Sequence, residues 1–287
     1  MKLATVLASA LALAIFPASL ARAQGKSQEH KQNPPPSRSD LPASGVTPGV
    51  AGPTPFAWIE DASLIEPGSV SVTTSFVRWQ GTDLGEVDLP VIEAAVGLAP
   101  RVHLAATVPR VVGSTDPLGA SGGVGTSYFS AKVAIVDDRT SGVKLSVAPT
   151  LEVLGTGVLQ SLTPGERRVH FGLPVSVEGS RGAVRGYGGG GYFSRGIWFT
   201  GAGIAVRAAD KTYVSAGYNR SWRRAVTVDV PLSDRSRNEL TGGAAYALAR
   251  SLSVFGSIAR SIATLDENGA GTTFAAGLSV FFSPPTR

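Results

Sequence analysis

The sequence predicts an all-β protein: a closed antiparallel transmembrane β-barrel of about 12 strands, preceded by a signal peptide and a proline-rich tail. Three observations predict it. From Ser69 onward, segments of about ten residues carry an apolar side chain at every second position. Their connections alternate between short and long. The N-terminus carries an export signal, yet no later apolar run reaches the length of about 18 residues that a spanning helix needs.

Lys2, the apolar stretch Leu3 to Phe16 and the small residues of Ala21-Arg22-Ala23 form the three parts of a secretory signal, residues 1–23. The apolar stretch is too short for an uncleaved anchor, so the mature chain is expected to begin at Gln24 with 264 of the 287 residues. Without cysteine there is no lipid-modified N-terminus, no disulfide framework and no thiolate metal site.

Residues 24–56 are polar and hold Pro34-Pro35-Pro36 with further prolines at 42, 48, 53 and 55. No apolar period builds a core there, which predicts a disordered or extended tail; a ligand for a proline-recognising or cell-wall partner is the alternative. The barrel is expected over residues 57–287. Net charge is +5 for the whole chain, but the signal and the tail carry most of it, and from Ala57 onward only +2 remains. Nucleic acid is therefore not an expected partner.

In chain order, strands are expected near 69–79, 87–98, 102–111, 128–136, 143–154, 168–178, 183–193, 197–207, 212–222, 239–248, 252–261 and 272–282. The fifth is the clearest. Val143, Leu145, Val147, Leu151 and Val153 share one face, opposite Lys144, Ser146, Thr150 and Glu152, because strand side chains alternate. The sixth repeats it, with Val169, Phe171, Leu173, Val175 and Val177 opposite Arg168, His170, Ser176 and Glu178. The seventh is weak, since Gly186 and Gly188 to Gly191 remove side chains from both faces, and a kinked or closely packed strand is expected. The last ends in Phe274, Ala276, Leu278, Val280 and Phe282, resembling the signal read by the barrel-assembly machinery, although Ser283 to Arg287 run past it. Prolines 90, 109, 149 and 174 fall inside strands and predict bulges or strand ends, because each removes a ladder donor.

Short links at Ala99–Arg101, Gly179–Gly182, Ala208–Lys211 and Ala249–Ser251 alternate with long ones at Val112–Ser127, Gly155–Arg167, Arg223–Asn238 and Ala263–Gly271. Such barrels put short turns in the periplasm and long loops outside, so an even strand count places both termini in the periplasm of a Gram-negative cell. The short Ser194-Arg195-Gly196 link breaks the rule. A soluble sandwich would alternate too. Lipid is favoured because the outward faces stay uncharged while several opposite faces are polar and charged, which suits a wet lumen.

Catalytic patterns are scarce. Gly119–Ser127 has no Lys before Thr126, so it fails as a phosphate loop, and His30, His103 and His170 are not spaced to share a metal. A Ser and His within hydrogen-bond reach could in principle make a hydrolase pair with His103 or His170, but each reads as a polar lumen residue. No catalytic, metal or cofactor site is expected. Glu93, His103, Lys132, Lys144, Glu152, Arg168, His170, Glu178 and Arg185 are instead candidate lumen-lining residues. Two readings of them stand: a hydrated path whose charge tunes selectivity, or ion pairs that fill the barrel and hold it shut.

Ile59-Glu60-Asp61-Ala62 with Pro67-Gly68, Leu89-Pro90 leading to Gly97-Leu98-Ala99-Pro100-Arg101-Val102, and Val108-Pro109 together resemble an outer-membrane transporter family associated with the meta-pathway of phenol degradation. Thr126 in Gly123-Val124-Gly125-Thr126 stands where the family often has an acid, and Pro149-Thr150 is a reduced form of its proline-threonine-glycine. The resemblance implies a passive channel for small solutes, aromatic or hydrophobic ones among them. The alternative is a structural or surface-interaction barrel with a plugged lumen, whose loop 223–238, with arginines 223, 224, 235 and 237, contacts lipopolysaccharide or a partner. Expected partners are outer-membrane lipid and lipopolysaccharide, the assembly machinery, and a solute.

Overall fold

The computed structural model describes residues 60–81, 85–115, 122–138, 141–156, 167–194, 196–223, 236–262 and 271–283. The expected signal peptide and proline-rich tail, the cores of the long links, Arg224 and Arg235 lie outside the described residues.

Fifteen strand segments follow in chain order: β1 (Val70–Gly81), β2 (Gly85–Ala99), β3 (Val102–Ser114), β4 (Gly123–Val124), β5 (Ser127–Asp138), β6 (Val143–Val147), β7 (Thr150–Val153), β8 (Val169–Gly172), β9 (Val175–Arg181), β10 (Val184–Phe193), β11 (Ile197–Ala209), β12 (Thr212–Arg223), β13 (Ser236–Ala249), β14 (Leu252–Ile262) and β15 (Gly271–Phe282). They make 12 staves, because β4 leads into β5, β6 continues as β7, and β8 continues as β9. Every neighbouring pair is antiparallel, and β1 pairs with β15 along its whole length, from Val70↔Phe282 to Gly81↔Gly271. That pairing closes the barrel and leaves no free edge for lipid to penalise.

The prolines act where they were expected to. Pro149 separates β6 from β7, and Pro174 separates β8 from β9, directly across the same seam. Pro90 and Pro109 sit where the β2–β3 register shifts between Asp88 and Val91. The glycine-rich β10 is a full strand, packed so closely that a Cβ on Gly191 would come within 2.8 Å of the Phe199 ring.

Burial is inverted relative to a water-soluble core. Val72, Phe76, Ile92, Leu104, Phe129, Phe171, Val177, Ile204, Ile258 and Leu278 are exposed on the outside, whereas Ser71, Ser75, His103, Lys132, Ser146, Glu152, Glu178, Asn219, Glu239, Thr241 and Ser279 are buried. Only a lipid solvent makes that arrangement favourable, so the soluble sandwich is excluded. Tyr192, Trp198 and Trp222 face outward near the long-link end, and Tyr246 and Phe282 near the short-turn end. Trp222 and Thr212, the partners of Trp198 and Tyr246, are ten residues apart along β12. At ~3.4 Å per residue and a tilt of about 40°, the two belts are separated by roughly 25 Å, the height of a bilayer's apolar band.

Candidate functional site

The lumen of the short-turn half is not empty. Residues Glu60–Ser69, which precede β1, cross it as an irregular segment. Its Asp61 reaches the β10 stave, the seventh of the 12, diametrically opposite β1 in the strand ring. Such a segment has no ladder to satisfy its backbone, so side chains on the inner wall must do so. Ile65 N donates to His103 Nδ1 at 3.2 Å, and Lys132 Nζ donates to the Asp61 carbonyl at 3.1 Å. At its near end Gly68 N donates to Gly97 O at 2.8 Å and Gly97 N to Ser69 O at 3.0 Å. Gly68, at φ 80°, supplies the left-handed turn that sends the chain from the lumen into the wall.

Charge holds the far end. Glu60 Oε2 lies 2.6 Å from Lys132 Nζ, and Asp61 Oδ2 lies 2.8 Å from Arg185 Nη1. Ser63 Oγ donates to Glu178, 3.0 and 2.8 Å from its two oxygens, and accepts from Lys144 Nζ at 2.8 Å. Glu178 also lies 3.6 Å from Lys144 Nζ and 3.9 Å from Arg185 Nη1. Besides the β2 backbone at Gly97, the segment thus engages side chains of five wall strands: β3 His103, β5 Lys132, β6 Lys144, β9 Glu178 and β10 Arg185. The Lys132 ammonium beside Glu60 holds that carboxyl below its ordinary 4.5. The wall cation is sequestered and its partner is not: the Lys132 side chain is 4% exposed, that of Glu60 59%.

The long-link half of the lumen is different in character. Tyr187, Phe193, Ile197, Phe199 and Ala205 form a buried cluster with Tyr128 packed against it. Phe193 meets Phe199 at 5.9 Å and Tyr128 edge-on at 6.4 Å between ring centroids. Gly172 and Gly203 make room for the Phe193 and Tyr187 rings, which a Cβ would strike at 2.6 Å or closer. Tyr187 bridges the two halves, its ring 5.7 Å from the Arg185 guanidinium.

Of the nine candidate lining residues, His103, Lys132, Lys144, Glu178 and Arg185 are brought together around the segment. Glu93 is half-buried on the same inner face, opposite Thr73 and Thr107. Glu152 and His170 form a cross-strand pair in the other half, where Tyr128 Oη donates to Glu152 at 3.3 Å and His170 Nε2 contacts the Arg167 carbonyl at 2.8 Å. Arg168 precedes β8 and is exposed. Sequence reasoning missed Glu60, Asp61 and Ser63, which have no period, and the inner aromatics, which share strands with outward ones. The available signal for the acids was their place just ahead of a barrel whose inward faces hold Lys132, Lys144 and Arg185.

Of the four arginines assigned to a surface loop, two are strand residues. Arg223 ends β12 and Arg237 lies in β13, where its guanidinium pairs with Glu239 at 2.8 Å and is 11% exposed. β13 begins at Ser236 rather than near 239 because this inner-face pair replaces the apolar alternation that marks a strand. A groove of about 850 Å³ lies instead on the outside of the wall, among Leu104, Phe129, Leu151 and Phe171, where acyl chains rather than solute would fill it.

No family model and no curated protein matches this chain. Solved structures do. An outer-membrane channel from Pseudomonas putida F1 aligns with TM-score 0.59 at 15% identity, over 77% of this chain and 98% of that one. The NanC porin aligns at 0.54 with 7% identity, over 73% and 98%. The KdgM porin in complex with disordered oligogalacturonate aligns at 0.52 with 9% identity, over 74% and 99%. At these identities the likeness concerns architecture, and the architecture is that of outer-membrane β-barrels.

Proposed function

We propose that this protein is an outer-membrane channel through which small solutes pass by diffusion, with the Glu60–Ser69 segment as its internal gate. The observation that carries the reading is a polar, charged lumen crossed by a segment held through side-chain contacts rather than a continuous β-ladder. A barrel serving only as a wall could be filled permanently by its own side chains. Five wall strands here present groups that a passing solute could use once the segment moves. The inner aromatics Tyr128, Tyr187, Phe193 and Phe199 favour solutes with an aromatic or hydrophobic part, as the resemblance to phenol-pathway transporters also implies. The short-turn end would face the periplasm, and the candidate lining residues would act as the filter. The long links, expected to gate from outside, lie beyond the described residues.

The test is conductance of the full-length protein in planar bilayers and uptake of small solutes by liposomes containing it. Measurable ion current and solute-dependent swelling are expected. A second reading, a structural barrel with a permanently closed lumen, is favoured by the number of contacts the segment makes. It would replace the first if neither current nor swelling appeared even after Glu60 and Asp61 were neutralised.

A further inference from the structure

We infer that Lys132 and Arg185 form a binding site for the carboxylate of a small solute, and that Glu60 and Asp61 occupy it as a tethered substitute. The inference rests on the channel reading and names the solute chemistry that would open it.

Three features support this. The bases belong to the wall and the acids do not: Lys132 and Arg185 are set in β5 and β10, whereas Glu60 and Asp61 are on the irregular segment. The Lys132 ammonium is covered while the segment is docked and meets the Glu60 carboxylate at 2.6 Å, so departure of the segment uncovers a cation already placed to take a second carboxylate. Arg185 is already oriented for a carboxylate, with Asp61 Oδ2 at 2.8 Å and the Tyr187 ring beside the guanidinium. The charge balance agrees. On the wall, Lys132, Lys144 and Arg185 face Glu178, with Glu93 the other inward acid of this half, so the bare site is +1, and docking of Glu60 and Asp61 turns it to −1. Displacement of the segment therefore converts a cation-favouring constriction into an anion-favouring one. Tyr187, in contact with both Arg185 and the aromatic cluster, places an apolar surface next to the site, so the fitting ligand is a small carboxylate with a hydrophobic body.

The experiment uses full-length protein in detergent and in planar bilayers, with benzoate as probe and benzamide as its uncharged counterpart. By titration calorimetry, E60Q/D61N should bind benzoate at least ten-fold more tightly than wild type, because the competing acids are gone, and benzamide should not discriminate between them. K132Q and R185Q, each made in that background, should lose the gain while retaining the mobility shift on boiling that marks a closed barrel. In bilayers, the reversal potential in a KCl gradient should move toward anion selectivity in E60Q/D61N. Equal benzoate affinity in wild type and E60Q/D61N, or affinity unaffected by K132Q and R185Q, would overturn the site. Absence of current with the binding pattern intact would instead overturn the channel reading alone.

Discussion

The backbone of Gly97 lies directly beneath the carbonyl of Glu66, so close that a Cβ on Gly97 would collide with it. The two residues also sit within the hydrogen-bonded junction where Gly68 and Ser69 pair with Gly97. Gly97→Ala should therefore lift the segment from the wall while leaving the β2–β3 ladder in place. Expected outcomes are faster proteolysis between residues 60 and 69, higher conductance, and an unchanged mobility shift on boiling. A variant whose segment remains protected would show that the contact is incidental.

Docking should weaken in acid. Lys132 holds the Glu60 carboxyl below its ordinary value, so the docked state contributes stability that is fully present above about 4.5 and is lost as pH falls through the depressed value. The groups whose charge acts on Glu60 are Lys132, His103 and Glu93. Open probability in bilayers should rise when pH falls from neutral into this range, and the rise should shrink in E60Q, whose segment is already loosened. An identical acid response in both proteins would assign it to another group.

The wall offers a test of its solvent. Ile204 faces outward near the middle of β11, and Ile204→Arg should cost about 2–4 kcal/mol of folding stability in liposomes. Ser257→Lys, on the inner face of β14 opposite Gly243 and Ala275, should cost much less. Equal penalties from denaturant titration would contradict the assignment of faces.

Phe193 is buried at 1% exposure, over Gly172 and against Phe199 and Tyr128. Phe193→Ala should destabilise the barrel by about 3 kcal/mol and widen the long-link half of the lumen. Thermal loss of the gel shift reads the first effect, and single-channel conductance in the E60Q/D61N background reads the second.

How much of this was legible in the sequence depended on periodicity. Val143 to Val153 and Val169 to Val177 show one face apolar and the other polar, so the sheet, the strand order and the proline breaks at 149 and 174 could be read directly. The lining residues were found for the same reason: Lys132, Lys144, Glu178 and Arg185 alternate with apolar neighbours. Trp198 and Phe199 show where the method fails, since adjacent aromatics point to opposite faces and conceal an apolar patch inside the lumen. Glu60 to Ser63 show a second failure. A segment fixed by long-range charge pairing has no local pattern, and the distance in sequence from Asp61 to Arg185 carries no trace of their contact.

Because the segment begins at the stave that closes the cylinder and ends on the stave opposite, it is a diametral strut. A thin-walled tube flattens easily, and a tie across its width resists that deformation in one direction while leaving the perpendicular one free. Releasing Asp61 from Arg185 would thus unlock a change in cross-section from round to oval, so a solute that displaces one carboxylate could alter the shape of the whole passage.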